Sequence, residues 1–166
     1  MPFSLLPTMR VSSVTGLTPE FLKMNGIRLL MLDFDNTIVP YTTNDPTDEM
    51  ENWLRMITKS EIKVCVVSNS RRNRVKVFCK KYNMDYITHA YKPFAKGIRR
   101  CMERYDMKPS ECALAGDQIY TDMLGANCMG VQSILVDAIH NHSFWLKLRH
   151  VLEGPFVHAA ESRRIK

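Results

Sequence analysis

Two aspartates separated by a single residue, Asp33 and Asp35, directly follow the largely apolar run 27–32. In an extended segment residues i and i+2 point to the same side, so both carboxylates can converge on one point beyond a strand. Carboxylates that close raise each other's pKa unless a cation lies between them. Mg²⁺ suits such a place, because it prefers hard oxygen ligands and accepts water and phosphate as well. The alternative explanation is an ordinary polar turn after a strand.

The rest of the chain alternates between strand and helix patterns. Apolar, β-branched segments predict strands, and capped or amphipathic segments predict helices between them. The predicted strands are 27–33, 62–67, 86–88, 112–115 and 131–136, and the predicted helices begin near residues 18, 46, 71, 93, 120 and 143. Apolar strands separated by helices indicate a mostly parallel sheet covered on both faces. We therefore expect an α/β, doubly wound, three-layer fold of the Rossmann-like type.

Distinctive polar residues follow each of the first four predicted strands. In parallel sheets ligands bind beyond the carboxyl ends of the strands, so these residues are expected at one edge. They are Asp33, Asp35, Ser68, Asn69, Lys92, Asp117 and, one helical turn further on, Asp122. Four segments that agree in this way point to one site more strongly than any of them does alone.

Each of these residues also has an ordinary structural explanation. Ser68 could bind a phosphate oxygen or simply cap a helix. Lys92 could neutralise a phosphate or be a solvated loop lysine, and Lys96 is a rival for the same role. Asp117 could be a third metal carboxylate or a helix cap. Asp122 could orient the metal's surroundings or be an acid favoured by the helix dipole.

Composition sets the frame for the site. The 166 residues carry a net charge of +6, which favours a phosphorylated substrate, an anionic membrane surface or nucleic acid as partner.

We predict one domain over 1–166, with an N-terminal extension and short helix in 1–26 and a C-terminal helix and basic tail in 143–166. Five cysteines without metal-type spacing indicate a reducing compartment. Without a secretory signal or an apolar run of about 18 residues, the expected location is cytoplasmic.

Four ordered segments resemble the motifs of the haloacid dehalogenase (HAD) superfamily of phosphohydrolases. They are Asp33-Phe34-Asp35-Asn36-Thr37, Val66-Val67-Ser68-Asn69, Lys92-Pro93 and Gly116-Asp117 with Asp122. The resemblance implies that Asp33 attacks phosphorus and forms an aspartyl-phosphate, while Asp35 acts as general acid and base. It implies phosphate binding by Ser68, Asn69, Lys92 and Thr37, with Thr37 also bracing the loop beside them. It also implies a Mg²⁺ site at Asp33, the Asp35 carbonyl, Asp117 and Asp122, the last directly or through water.

The segments between the motifs are short. The stretches 36–65 and 69–91 have room for about one helix each, whereas a separate cap domain needs about 50 residues. The resemblance is therefore to HAD enzymes without a cap, whose open sites imply a bulky substrate such as a protein, a lipid head group or a polymer. An oligomer that closes the site is the alternative.

Further segments resemble one capless branch, the YqeG-type bacterial proteins of HAD subfamily IIIA and their eukaryotic relatives. Leu17-Thr18-Pro19, the extended first motif through Pro40, and residues 116–127 carry this resemblance. It implies dephosphorylation of phosphatidylglycerophosphate to phosphatidylglycerol in phospholipid biosynthesis. Phe34 departs from the pattern, since a smaller aliphatic residue is frequent there, and this bears on packing rather than chemistry.

Three segments are compatible with a lipid substrate and with peripheral contact at the inner face of a membrane. They are the basic stretch 71–81 (Arg71, Arg72, Arg74, Lys76, Lys80 and Lys81), the amphipathic helix 143–153, and the apolar start Met1–Met9. Their alternative explanations are a solvated basic face, core packing and disorder, respectively.

Two other functions remain open from the sequence. One is a capless HAD phosphatase for a soluble nucleotide or phosphoprotein. The other is a basic RNA- or ribosome-binding module with a vestigial site. Aromatic residues do not interleave with the basic stretch as stacking platforms would, so no nucleic-acid partner is expected. The oligomeric state is left open.

Overall fold

A six-stranded parallel sheet forms the centre of the molecule in the computed structural model, which describes residues 4–70 and 73–139. The strands are β1 (Met9–Val11), β2 (Leu29–Leu32), β3 (Lys63–Val67), β4 (Asp85–Ile87), β5 (Cys112–Gly116) and β6 (Gln132–Val136). Their order is β1-β6-β5-β2-β3-β4, and every neighbouring pair is parallel. Because β2 lies between β3 and β5, the chain leaves β2 near the middle of the sheet.

Helices cover both faces of the sheet. They are α1 (Pro19–Met24), α2 (Asp48–Ile57), α3 (Asn73–Lys81), α4 (Lys96–Tyr105) and α5 (Leu124–Met129). Alternate side chains of β2 enter two separate cores: Leu30 and Leu32 pack with residues of α1, α2 and α3, and Leu29 and Met31 with residues of α4 and α5. This arrangement confirms the predicted α/β, doubly wound, three-layer fold.

Helix starts follow the capping residues in the sequence. The Thr18 hydroxyl accepts a hydrogen bond from the Phe21 N–H, and Pro19 occupies the first helical position of α1. The Thr47 hydroxyl caps α2 in the same way. Gly26 ends the α1 segment with φ 72°, a left-handed conformation that glycine adopts without a steric cost. These local signals set the point at which the chain enters β2.

The N-terminal segment differs from the prediction. Residues 9–11 form an edge strand beside β6, with Met9 opposite Ile134, and Leu5 packs against a small apolar cluster. Over residues 4–11 the chain is thus part of the fold, so disorder is the wrong explanation there, whereas membrane contact of this segment stays a prediction. Phe3 and the predicted helix 143–153 lie outside the described residues. Among helices within 4–70 and 73–139, none is long and apolar enough to cross a membrane.

The connections around the carboxyl edge are compact. The β2–β3 connection contains a tight turn and α2, and the β3–β4 connection contains α3. Within the described part of these connections no further domain is inserted, as predicted from their length.

The five cysteines are free thiols, and four of them are buried in the apolar core. Burial raises the pKa of Cys79 to about 12 and that of Cys112 to about 11. Cys128 is exposed. The buried thiols therefore behave as small core residues.

Candidate active site

The predicted site residues come from the carboxyl ends of neighbouring strands. Asp33 follows β2 and is still bonded to β5 through its N–H, which donates to the Ala115 carbonyl. Ser68 follows β3 and donates its N–H to the Ile87 carbonyl of β4. These backbone bonds tie the start of each loop to the sheet. Most of the predicted side chains are buried there, namely Asp33, Thr37, Ser68, Lys92, Asp117 and Asp122.

Lys92 lies at the centre of a buried charge cluster. Its ammonium nitrogen is 2.6 Å from Asp33 Oδ1 and 2.7 Å from Asp122 Oδ1. Burial disfavours the charge on Lys92, but the carboxylates of Asp122 and Asp33 outweigh it and raise the pKa of Lys92 above its ordinary value. Lys96, the rival in the sequence, is exposed and lies over the Tyr91 ring. The structure thus brings Lys92, and not Lys96, to Asp33.

Asp122 is completely buried. Its Oδ2 accepts a hydrogen bond from the Gln118 N–H at 3.1 Å. Burial raises the pKa of Asp122 to about 6, although Lys92 opposes the shift. Gly116 makes room for this carboxylate, because a Cβ on residue 116 would stand 2.3 Å from Asp122 Oδ2. Because Oδ1 of Asp122 pairs with the Lys92 ammonium and Oδ2 accepts from the Gln118 N–H, both oxygens are engaged. This fits a role for Asp122 in orienting its neighbours.

Three carboxylates form a group that could hold a metal ion. One oxygen each from Asp33, Asp117 and Asp122 lie within 4.8 Å of one another. Among the described residues, Asp33 Oδ2 is buried and has no hydrogen-bond partner. A buried carboxylate oxygen without a donor is costly unless a ligand completes it. An all-carboxylate group fits a hard cation such as Mg²⁺, and its coordination by Asp33, the Asp35 carbonyl, Asp117 and Asp122 stays a prediction.

Asn69 positions Lys92 through the backbone. Its amide nitrogen donates to the Lys92 carbonyl at 2.9 Å, and its amide oxygen accepts from the Lys92 N–H at 2.7 Å. The Asn69 side chain thus joins the β3 and β4 loops. The Ser68 hydroxyl accepts a hydrogen bond from the Ser70 N–H at 3.0 Å. Direct contact of Ser68 and Asn69 with a phosphate stays a prediction.

The turn after β2 places the second aspartate and the threonine. Asn36 adopts φ 61°, and its side-chain oxygen accepts a hydrogen bond from the Tyr41 N–H. Asp35 and Val39 form a short bridge across the turn. Thr37 is buried, and its hydroxyl has no hydrogen-bond partner within residues 4–70 and 73–139. Its role in bracing the loop or contacting phosphate stays a prediction.

Arg74 is a site residue that the sequence did not single out. Its guanidinium pairs with the Asp35 carboxylate at 3.2 Å and lies 5.0 Å from the centroid of the Phe34 ring. It also donates to the backbone carbonyls of residues 40, 41 and 43. In the sequence it was one of several cations in the basic stretch 71–81. Arg71 and Arg72, expected near a head group, lie outside the described residues.

Together these contacts present an oriented carboxylate beside a buried cation. Lys92 holds one oxygen of Asp33, and the other oxygen is left for a reacting or coordinated atom. Asp35, held by Arg74, follows on the same loop and can exchange a proton. This arrangement can support attack of a carboxylate on phosphorus, with the ammonium balancing negative charge.

Solved structures with the same fold include several phosphatases. The 3-deoxy-D-manno-octulosonate 8-phosphate phosphatase from Yersinia pestis has a TM-score of 0.55 and 15% identity, over 87% of this chain and 88% of that one. A HAD-superfamily (subfamily III A) hydrolase from Legionella pneumophila has a TM-score of 0.57 and 13% identity, over 78% and 74%. Likeness at such low identity establishes the fold alone, which is that of the HAD-like phosphatases.

Sequence comparison then identifies the family. Residues 1–140 match the family model described as mitochondrial PGP phosphatase. The Bacillus subtilis (strain 168) protein named Probable phosphatase YqeG is 34% identical over 131 residues, which span 79% of this chain and 76% of that protein. The chain therefore belongs to the PGP phosphatase family, and it is a HAD-type phosphatase.

Proposed function

We propose that this phosphatase removes the phosphomonoester group of phosphatidylglycerophosphate, in a Mg²⁺-dependent reaction at an anionic membrane surface. Family membership supports the substrate, because the matching model is described as a PGP phosphatase. The compact loops at the carboxyl edge, without an inserted domain in their described part, are consistent with a bulky substrate such as a lipid head group. The net charge of +6 favours an anionic surface.

The observation that carries the proposed chemistry is the state of the Asp33 carboxylate. Lys92 binds Oδ1 at 2.6 Å, while Oδ2 is buried without a hydrogen-bond partner in the described chain. A carboxylate that pairs with a buried ammonium through one oxygen, and whose other oxygen is uncommitted, is suited to act as a nucleophile. No other aspartate in the site combines these two features in the described residues.

The reaction follows in two displacements. Asp33 Oδ2 attacks phosphorus, the bond from phosphorus to the ester oxygen breaks, and the Asp35 carboxyl group gives its proton to the leaving oxygen. Asp35 then takes a proton from water, and the water oxygen attacks phosphorus, so that inorganic phosphate leaves and Asp33 is restored. Mg²⁺ bound at Asp33 and Asp117 would supply positive charge to the phosphoryl oxygens. Lys92 adds a fixed charge from the protein.

The test is phosphate release from phosphatidylglycerophosphate in mixed micelles, with and without Mg²⁺. A soluble aryl phosphate is measured beside it. Asp33→Asn removes the nucleophilic charge and should lower release by about 10³-fold or more while the fold is retained. Asp45→Asn is the matched control, because it removes an exposed carboxylate on the connection before α2.

Three results would contradict the proposal in different ways. Activity retained in purified Asp33→Asn protein would exclude Asp33 as the nucleophile. Release from the soluble ester alone would keep the chemistry and exclude the lipid substrate. Undiminished release after removal of divalent cations would exclude the dependence on Mg²⁺.

A further inference from the structure

Exposed aromatic side chains surround the predicted site. Tyr41, Tyr91, Phe94 and Tyr120 are exposed to 49%, 47%, 74% and 37%, respectively. Within residues 4–70 and 73–139 these four, here named the aromatic rim, are the only exposed Phe, Tyr or Trp side chains. A solvated aromatic ring gains free energy when it is transferred to an apolar or interfacial environment. A group of them in one place therefore indicates a contact surface.

All four rim residues lie in segments that follow strands at the carboxyl edge of the sheet, and Tyr120 belongs to a short π-helix there, Ile119–Met123. Tyr41 is in the connection after β2, Tyr91 and Phe94 flank the Lys92–Pro93 segment after β4, and Tyr120 lies between the two aspartates that follow β5. The other large exposed apolar residues, Met24, Met56 and Val77, are on helices. Met24 ends α1 just before β2 begins, which places it at the opposite edge.

The backbone holds part of the rim in a costly conformation. Tyr91 has φ 57°, in the left-handed region that bulky residues rarely adopt, and His89 has φ 53°. Such a conformation persists only where the surroundings impose it. Here the Gly97 N–H donates to the Ala90 carbonyl, and Asn69 binds both backbone groups of Lys92. The loop that positions Lys92 thus also presents the Tyr91 ring to solvent.

Positive charge adjoins the aromatic rim. Helix α4 begins two residues after Phe94, and its exposed side chains Lys96, Arg99 and Arg100 lie in the first turns, where no acidic residue is present. The Lys96 ammonium is 5.8 Å from the centroid of the Tyr91 ring. Aromatic rings that enter the head-group region, next to cations that meet anionic lipids, are typical of surfaces that bind the membrane interface.

We propose that the aromatic rim and the first turns of α4 form a membrane-docking surface, which places the mouth of the site against an anionic bilayer. The choice of a bilayer as partner rests on the proposed lipid substrate. Docking at this edge lets a phosphorylated head group reach Asp33 while its acyl chains stay in the membrane. If the protein approached through α1 or the amino ends of the strands, the site would face away from the membrane.

The test is flotation of the full chain with vesicles of phosphatidylcholine containing about 30% phosphatidylglycerol, which carries no phosphomonoester. Phe94→Ser should lower partitioning about tenfold, because the most exposed ring no longer enters the interface. Met24→Ser is the matched control and should bind like the unchanged protein. Phe94→Ser should still hydrolyse a soluble aryl phosphate. Its hydrolysis of phosphatidylglycerophosphate held in vesicles should fall by the same factor as its binding to vesicles.

Because these vesicles contain no substrate, the two proposals fail separately. Equal binding by Phe94→Ser, Met24→Ser and the unchanged chain would overturn the docking surface, even if phosphatidylglycerophosphate is hydrolysed. Absence of vesicle binding by the unchanged chain would overturn it too, and would favour a protein partner at the rim. If Phe94→Ser loses vesicle binding and the unchanged chain does not hydrolyse phosphatidylglycerophosphate, the docking surface is supported and the proposed substrate is contradicted.

Discussion

Replacing Lys92 by methionine tests whether the buried charge cluster holds the site together. The Lys92 ammonium is within 2.7 Å of Asp33 and Asp122, and all three side chains are almost inaccessible to solvent. Methionine keeps most of the volume but leaves both carboxylates without this cation. Removing one partner of a buried pair costs about 3–5 kcal/mol of unfolding free energy. For a chain of this size that corresponds to a fall in Tm of about 6–20 °C.

The loss of stability should depend on pH. Burial raises the pKa of Asp122 to about 6 even beside Lys92, and removing Lys92 removes an interaction that lowers it. Above a pH of about 4 the unfolded chain releases this proton, while the folded protein retains it up to a pH of about 6 or higher. The free energy of unfolding therefore falls as the pH rises through this window. The deficit of Lys92→Met relative to the unchanged chain should thus be larger at pH 7 than at pH 5.

The measurement is urea unfolding by circular dichroism in the absence of divalent cations, at both pH values. Lys96→Met is the matched control, because Lys96 is an exposed lysine four residues away, and its loss should change stability by less than about 0.5 kcal/mol. Added Mg²⁺ should recover part of the deficit through binding to the folded state. A loss below about 1 kcal/mol, a loss equal to that of the control, or a deficit that grows at pH 5 would refute the reasoning.

Three further outcomes are expected. Gly116→Ala should lower activity by about 100-fold or more, because its Cβ would displace the Asp122 carboxylate; unchanged kcat would contradict this. Asn69→Ala should cost about 1–2 kcal/mol in urea unfolding and lower kcat, since two hydrogen bonds to Lys92 are lost, and unaltered values would exclude the positioning role. In thiol labelling of the folded protein at pH 8, Cys128 should react before the four buried cysteines; simultaneous reaction of all five would contradict their burial.

The main lines of the site could be predicted because topology and local pattern agree. Apolar strands separated by helices indicate a parallel sheet, and a parallel sheet brings the residues after its strands to one edge. Asp33, Lys92 and Asp122 come from segments far apart in the chain, yet each stands just after a strand or one turn further on. That rule brings these segments to one edge, and side-chain packing then decides which of their residues touch.

The parts that could not be predicted depend on long-range contacts. Strand β1 has three residues, too few for an alternating pattern, and it exists because β6 offers a partner more than 120 residues later. Arg74 differs from Lys76, Lys80 and Lys81 of the same stretch, which are exposed, in being half-buried against Asp35 and Phe34. Position after a strand does not separate Lys92 from Lys96; the Lys92-Pro93 motif favoured Lys92, and the contacts of Lys92 with Asp33 and Asp122 agree with that choice.

Charge balance explains why these buried groups occur together. Asp33, Asp117 and Asp122 bring three carboxylates into a small volume, and Lys92 supplies one positive charge. When all are ionised, the cluster keeps two negative charges in a place where isolated charge is expensive. The fold reduces this cost partly by the raised pKa of Asp122, and a divalent cation would remove it. The same excess of negative charge would repel a phosphate, so we expect cation binding to precede productive binding of substrate.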